Sequence, residues 1–285
     1  MADYLWPHIS ALPYFRGMLR AIEARLMHKV PLPPLVLDIG CGDGHFASVT
    51  YEQLIDVGID PIYASLTEAK SRDAYRMLVQ ANGDRLPFAD TSFASSISNS
   101  VLEHVSNLEG VLAEIGRVLK LDGRFAITVP NPGYRSELSL PRFLSRVRLN
   151  RLSRSYRDWF MRMSRTWNLF DEAGWGSLFK RAGLEVKQSE RYFSPSALRA
   201  LEWGHYFGAP TLLSRWLTGR WILVPSRWNL LLTEKFTRRY YQEAPSPKGT
   251  YTFYLVSKIE PSNGYRSRAG GLESLQVEGD QNGAH

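Results

Sequence analysis

A single cysteine, Cys41, stands in the 285 residues, so no intramolecular disulfide can form. That excludes a disulfide-stapled secreted scaffold and suits a reducing compartment. No apolar run reaches the roughly 18 residues that a membrane-spanning helix needs. The opening "MADYLWPHIS" carries an early acid and no continuous apolar core, so no secretory signal is read there. The expected location is cytoplasmic, either soluble or peripheral on the inner face of the membrane. No internal repeat is present, which excludes a repeat architecture. Acids are outnumbered, 28 against 35 Lys and Arg, leaving a formal net charge of +7. An excess of this sign suits an anionic partner or surface.

The residues that are present alternate between two periods. Leu12, Phe15, Leu19, Ile22 and Leu26 recur at helical spacing over 12–29, and "PLPP" at 31–34 stops that helix. Residues 35–39 read as a buried strand and 46–54 as the helix after it. Strands are expected at 56–60, 78–82, 93–100 and 124–130, with helices at 64–77 and 107–120. A turn is expected at 121–123. A helix and then a strand follow over 171–193, and a last strand lies within 250–260. Alternation of this kind predicts an α/β fold with a mostly parallel sheet covered on both faces.

Two stretches interrupt the alternation. Residues 135–165 hold nine arginines against two acids, Glu137 and Asp158, interleaved with Phe143, Leu144, Val147, Leu149, Leu152, Trp159, Phe160 and Met163. Residues 194–249 are rich in Trp, Leu and Arg. Both are expected as helical inserts near 133–170 and 194–249. They are read either as a lid or as a docking face for an anionic membrane surface. Residues 1–34 read as an N-terminal helical cap, 35–260 as the main domain and 261–285 as a disordered tail.

The chemistry is concentrated in "VLDIGCGDGHF" (36–46). Gly40, Gly42 and Gly44 follow a buried strand and precede a helix, so a ligand can approach bare backbone. A dinucleotide loop, G-x-G-x-x-G, would need its third glycine at 45, where His45 stands. A pyrophosphate would also be repelled by Asp38.

"VLDIGCGDG", "GID" (58–60), "GDRLPFADTSFASSISNSVLEHV" (83–105) and "LAEIGRVLKLDGRFAITVPNP" (112–132) together resemble the class I S-adenosylmethionine-dependent methyltransferases. The likeness is strongest to the subgroup of quinone and other small-molecule methylases, the type 11 methyltransferases. It implies a Rossmann-like open sheet of about seven strands, mostly parallel with an antiparallel last strand, and S-adenosylmethionine as cofactor. It implies that Asp38, Gly40, Cys41, Gly42 and Gly44 hold the amino-acid end of that cofactor. Asp60 would accept from the ribose hydroxyls, with Pro61 or Ile62 against the adenine. Asp84 would accept from the adenine amino group, with Arg85 and Leu86 beside it, while Asn99 and Val101 line the methyl side. His104, with Glu103, is the candidate general base; His45 and His205 are weaker candidates. Ser100 stands where related quinone methylases carry a glutamate, so no metal site is expected. The expected reaction is methyl transfer to a small or lipid-like acceptor. The alternatives are an RNA methyltransferase and a non-catalytic binding protein of the same fold. RNA is disfavoured because the arginines are mixed with large aliphatics and "SNSV" replaces the N-P-P-Y type motif; nucleic acid is therefore not the expected partner.

Overall fold

A computed structural model describes residues 2–208 and 210–260; the expected tail lies outside them. The chain opens with α1 (Leu5–Ile9) and α2 (Tyr14–Met27), then β1 (Val36–Ile39). It continues through α3 (His45–Thr50), β2 (Ile55–Asp60), α4 (Tyr63–Lys70), β3 (Tyr75–Gln80) and β4 (Phe93–Asn99). After a 3-10 turn at Leu102–His104 come α5 (Leu108–Val118) and β5 (Leu119–Pro130). The first insert forms α6 (Pro132–Ser136), α7 (Ser139–Arg146) and α8 (Asn150–Met163), followed by α9 (Glu172–Arg181) and β6 (Leu184–Tyr192). The second forms α10 (Pro195–Phe207), α11 (Pro210–Thr218) and α12 (Arg227–Tyr241), before β7 (Tyr251–Lys258).

The sheet order is β3-β2-β1-β4-β5-β7-β6. The first five strands pair in parallel, and β7 runs antiparallel between β5 and β6. Period-two alternation feeds two cores. Val36, Ile97 and Ala126 face one layer with α2 and α10, while Leu37, Phe93, Phe125 and Ile127 face the other. That second layer holds α5, whose Leu108, Val111, Leu112, Ile115 and Val118 are buried, together with Trp175 and Phe179 of α9. Burying each such side chain contributes roughly 1.5–3 kcal/mol. Two serines lace β4 to β1: Ser96 Oγ donates to the Leu37 carbonyl and Ser98 Oγ to that of Ile39, each at 3.0 Å.

Two boundaries differ from the sequence reading. The helix expected over 64–77 ends at Lys70, and the third strand starts at Tyr75 rather than 78. Tyr75 is held in the sheet because its ring lies over Gly58 and its hydroxyl donates to Asp38 at 2.7 Å. The turn expected at 121–123 falls inside β5, with Asp122 at φ +59°.

The cap helices are fastened by a buried carboxylate. Glu23 accepts from Arg20 (2.9 Å), Asn99 Nδ2 (2.9 Å), Ser100 Oγ (2.6 Å) and the Tyr192 hydroxyl (3.1 Å). Glu202 of α10, also fully buried, accepts from the backbone amides of Ser139 and Leu140 and caps α7.

Candidate active site

The parallel order places the C-terminal ends of β1, β2 and β4 at one edge, and the order in which the strands are laid down reverses between β1 and β4. Crevices at such reversals are the usual ligand positions in open α/β sheets. Here the crevice holds a cavity of about 720 Å³ and an adjoining one of about 340 Å³, both touching Gly40, Gly42 and Val101.

All three loop glycines have left-handed backbone, φ +75° at Gly40, +55° at Gly42 and +73° at Gly44. The loop folds back on β2: the amides of Gly40 and Cys41 both donate to the Ile59 carbonyl at 2.9 Å. Asp60 then fixes two turns at once. One carboxylate oxygen accepts from the Gly42 amide (3.1 Å), the other from the Ile62 amide (2.9 Å).

Asp38 is buried beneath the loop. Burial, with the Asp60 charge close by, pushes its carboxyl up to about 7 against the opposing Tyr75 hydrogen bond. Burial and the same two carboxylates raise the Cys41 thiol, so it is an inert, small side chain at this position.

The larger cavity brings together Asp60, Pro61, Ile62, Asp84, Ser100 and His104. Asp84 is positioned by Asn107 Nδ2, which donates to it at 3.0 Å. Cys41, Asp38, His45 and Asn99 line the smaller one. Arg85 faces neither and borders a separate depression with Gln80 and Pro87. His205 turns away, its Nδ1 donating to the Leu201 carbonyl at 2.9 Å and its ring 4.4 Å from Phe15.

His104 has a defined tautomer. Its Nδ1 lies 2.8 Å from the Arg165 carbonyl, which can only accept, so Nδ1 carries the proton and Nε2 presents a lone pair. Crowding by the surrounding chain lowers its pKa, with the Arg165 bond acting the other way. Glu103 does not reach the cavity. It is buried, its Oε1 is 3.8 Å from His104 Nε2, and its Oε2 has no partner among the described residues. Burial pushes its carboxyl up to about 8. The turn carrying both residues is clamped by Asn168, whose Nδ2 donates to the carbonyls of Leu102 and Val105.

Some residues at the site escaped the sequence reading. Arg16 and Arg20 of α2 line both cavities. Arg20 is oriented by Glu23 and by the Asn99 carbonyl (3.1 Å). His8 faces His45 across 3.1 Å, Nδ1 to Nε2. No local pattern marks these residues as cavity walls, because the glycine loop and strand ends they face lie far along the chain. Among the described residues no cluster of three or more His, Cys, Asp or Glu is arranged to hold a metal.

A group with an amino-acid tail and a nucleoside fits what is present. A Cβ at Gly42 would meet nothing within 4 Å, so the bare backbone opens directly into the cavity. Residues 37–127 match the family described as "Methyltransferase domain". The malonyl-acyl-carrier-protein O-methyltransferase of Legionella pneumophila is 32% identical over 120 residues, 40% of this chain and 42% of that protein. A mitochondrial arginine-hydroxylase of Danio rerio is 33% identical over 94 residues, 32% of this chain and 29% of that protein. The geranyl diphosphate C-methyltransferase of Streptomyces coelicolor, solved with Mg2+, geranyl diphosphate and S-adenosyl-L-homocysteine, superposes with a TM-score of 0.53. That pair is 16% identical, and the match covers 86% of this chain and 79% of that one.

Residues 37–127 thus match the methyltransferase-domain family, and the sheet with its glycine loop has the fold of solved methyltransferases. The chain spans less than half the length of these curated relatives.

Proposed function

We propose that the chain transfers a methyl group from S-adenosylmethionine to a small or lipid-like acceptor by in-line displacement, working at a membrane surface. The observation that carries this reading is the convergence of bare Gly42, Asp60, Asp84 and His104 on one cavity. When bound, the cofactor supplies a methyl already activated by the positive charge on its sulfur.

The chain's own residues hold and orient. Asp60 accepts from the ribose hydroxyls, Asp84 from the adenine amino group, and Pro61 or Ile62 packs on the base. Asp38 lies under the amino-acid end, where a positive charge returns its carboxyl to the ionised form. Holding the reacting atoms in line lowers a barrier by at most ~7–11 kcal/mol. His104 takes the proton from the acceptor's nucleophilic atom at Nε2 while the Arg165 carbonyl keeps Nδ1 protonated. Glu103, neutral and set back, positions that turn. The mixture of arginines with large apolar residues in both inserts supports an acceptor presented by an anionic membrane.

Calorimetry with S-adenosylhomocysteine is expected to show binding that Asp60→Asn weakens at least tenfold, on the order of 1.4 kcal/mol. Labelled methyl donor, offered to separate lipid, small-molecule and RNA fractions of a cell extract, should label one of the first two. His104→Gln should keep cofactor affinity and lower transfer by roughly 10²–10⁴. Label in RNA would replace this reading with the nucleic-acid one, and no binding heat would remove it.

A further inference from the structure

The apolar surface of residues 207–236 is unexplained by the cofactor cavity. Phe207, Leu213, Trp216, Leu217, Trp228 and Leu232 are all exposed, with Trp216, Trp228 and Leu232 at 79%, 78% and 77%. α11 buries none of its residues. Scattered exposed apolar side chains are ordinary, whereas this many large ones exposed within one 30-residue segment point to an interaction surface.

The first insert differs here. In α8, Phe160 is fully buried, the Tyr156 hydroxyl bonds that of Tyr206 at 2.6 Å, and Trp159 stacks on Tyr206. α8 is thus packed against α10, while among the described residues no such layer lies over α11. α11 is instead pinned at the rim of the smaller cavity. Arg215 pairs with Glu68 of α4 at 2.8 Å, and Trp221 has Arg16 and Arg215 over its ring at 5.6 and 5.7 Å. All four of these residues line that cavity.

Charge identifies the occupant. Residues 207–241 carry six cations, Arg215, Arg220, Arg227, Lys235, Arg238 and Arg239, against one acid, Glu234. Among the described residues Arg220, Lys235 and Arg239 have no carboxylate within 4 Å. A second copy of the chain would set cations against cations, whereas an anionic bilayer complements them. Tryptophan favours the boundary between headgroups and acyl chains.

We infer that α11, the following loop and the start of α12 form the element that docks on an anionic lipid surface, with Trp216 and Trp228 inserted and the cofactor cavity held beside the bilayer. This rests on the lipid-like acceptor of the proposed function and names the element that would meet it.

The test uses the full chain, vesicles of phosphatidylcholine alone or with about 30% phosphatidylglycerol, and acyl-brominated lipid as a depth quencher. Binding to anionic vesicles is expected to exceed that to neutral ones about tenfold or more and to weaken with salt. Brominated lipid should quench tryptophan emission, and the Trp216→Ser/Trp228→Ser double variant should lose both quenching and at least tenfold of the binding. A milder pair, Trp216→Tyr/Trp228→Tyr, should lose the same quenching while keeping most of the binding and carries the test if the serine pair fails to fold; undiminished quenching in it overturns the inference. Calorimetry with S-adenosylhomocysteine should be unchanged in either pair, so loss of the cofactor reading and loss of the docking surface are separable. Wild-type protein that binds the cofactor analogue but no vesicles overturns the inference. So does sedimentation equilibrium showing a dimer that the tryptophan substitutions dissociate.

Discussion

Three glycines in five residues share a left-handed backbone, yet their surroundings give them different roles. At Gly40 a Cβ would sit 2.5 Å from Val101 Cγ1, and at Gly44 it would sit 3.1 Å from the Ala69 backbone. Those two positions are needed for packing. At Gly42 the space is open, so only the backbone and a ligand use its bareness. Alanine at any of them meets a left-handed cost of about 1–2 kcal/mol. Gly40→Ala adds overpacking of about 1–3 kcal/mol against a stiff β-branched neighbour. Thermal melting should therefore rank Gly40→Ala below Gly42→Ala. Titration with S-adenosylhomocysteine should show at least a tenfold loss in Gly42→Ala, despite its smaller cost in stability. Equal affinity in Gly42→Ala and wild type would mean that the ligand does not approach this backbone.

At the level of elements, the cap helix α2 is coupled to the methyl-side end of β4 through one carboxylate. Glu23 is fully buried and satisfies Arg20, Asn99, Ser100 and Tyr192 together. Removing the carboxylate leaves the buried Asn99, Ser100 and Tyr192 donors without their acceptor and the partly exposed Arg20 without its counter-charge, which costs about 1–3 kcal/mol. Glu23→Ala is expected to lose that much in urea denaturation and to weaken cofactor binding as well, because Arg20 and Asn99 lose their anchor. A change within 0.5 kcal/mol would show that the latch does not hold in solution. The sequence announced α2, through Phe15, Leu19, Ile22 and Leu26, but not this latch. Glu23 sits 76 residues from Asn99, and helical periodicity carries no information about a partner at that distance. The same limit explains β3: residues 64–77 have helical composition, and the contact of Tyr75 with Gly58 and Asp38 ends the helix early. By contrast β1, β2, β4 and α5 were legible because their apolar pattern and their flanking Gly, Asp and Asn residues are local. The loop glycines and Asp60 were legible for the same reason. The exclusion of Glu103 from the cavity was not, since it depends on how residues 165–168 close over the turn.

Across the molecule, the buried ionisable groups set opposing dependences on pH. Asp38 and Glu103 have folded pKa values raised to about 7 and about 8, so the folded state holds protons that the unfolded chain releases. Their influence reduces stability as pH rises from the unfolded carboxyl range of about 4 up to those values. His45 acts in the opposite sense. Burial first, then the charge of Arg72, lowers it to about 4, and its Nε2 is engaged with His8. Unfolded, it titrates near 6.5. Between about 6.5 and 4 the unfolded chain therefore binds the extra proton, and stability falls as pH falls. The shift implies a loss of about 2 kcal/mol from this residue between pH 7 and pH 5. His45→Gln removes that contribution and relieves the part of the His8 shift that the His45 charge causes, which acts in the same direction. Urea denaturation at pH 7 and pH 5 should show the wild type losing about 2 kcal/mol more than the variant over the interval, whatever their difference at pH 7. Because His45 opens α3 directly behind the glycine loop, the same interval should also loosen the loop. Amide exchange at Gly42 and Gly44 should accelerate in the wild type at pH 5, relative to the variant at that pH. Parallel stability curves for the two proteins would mean that His45 is not neutral and enclosed in the folded molecule.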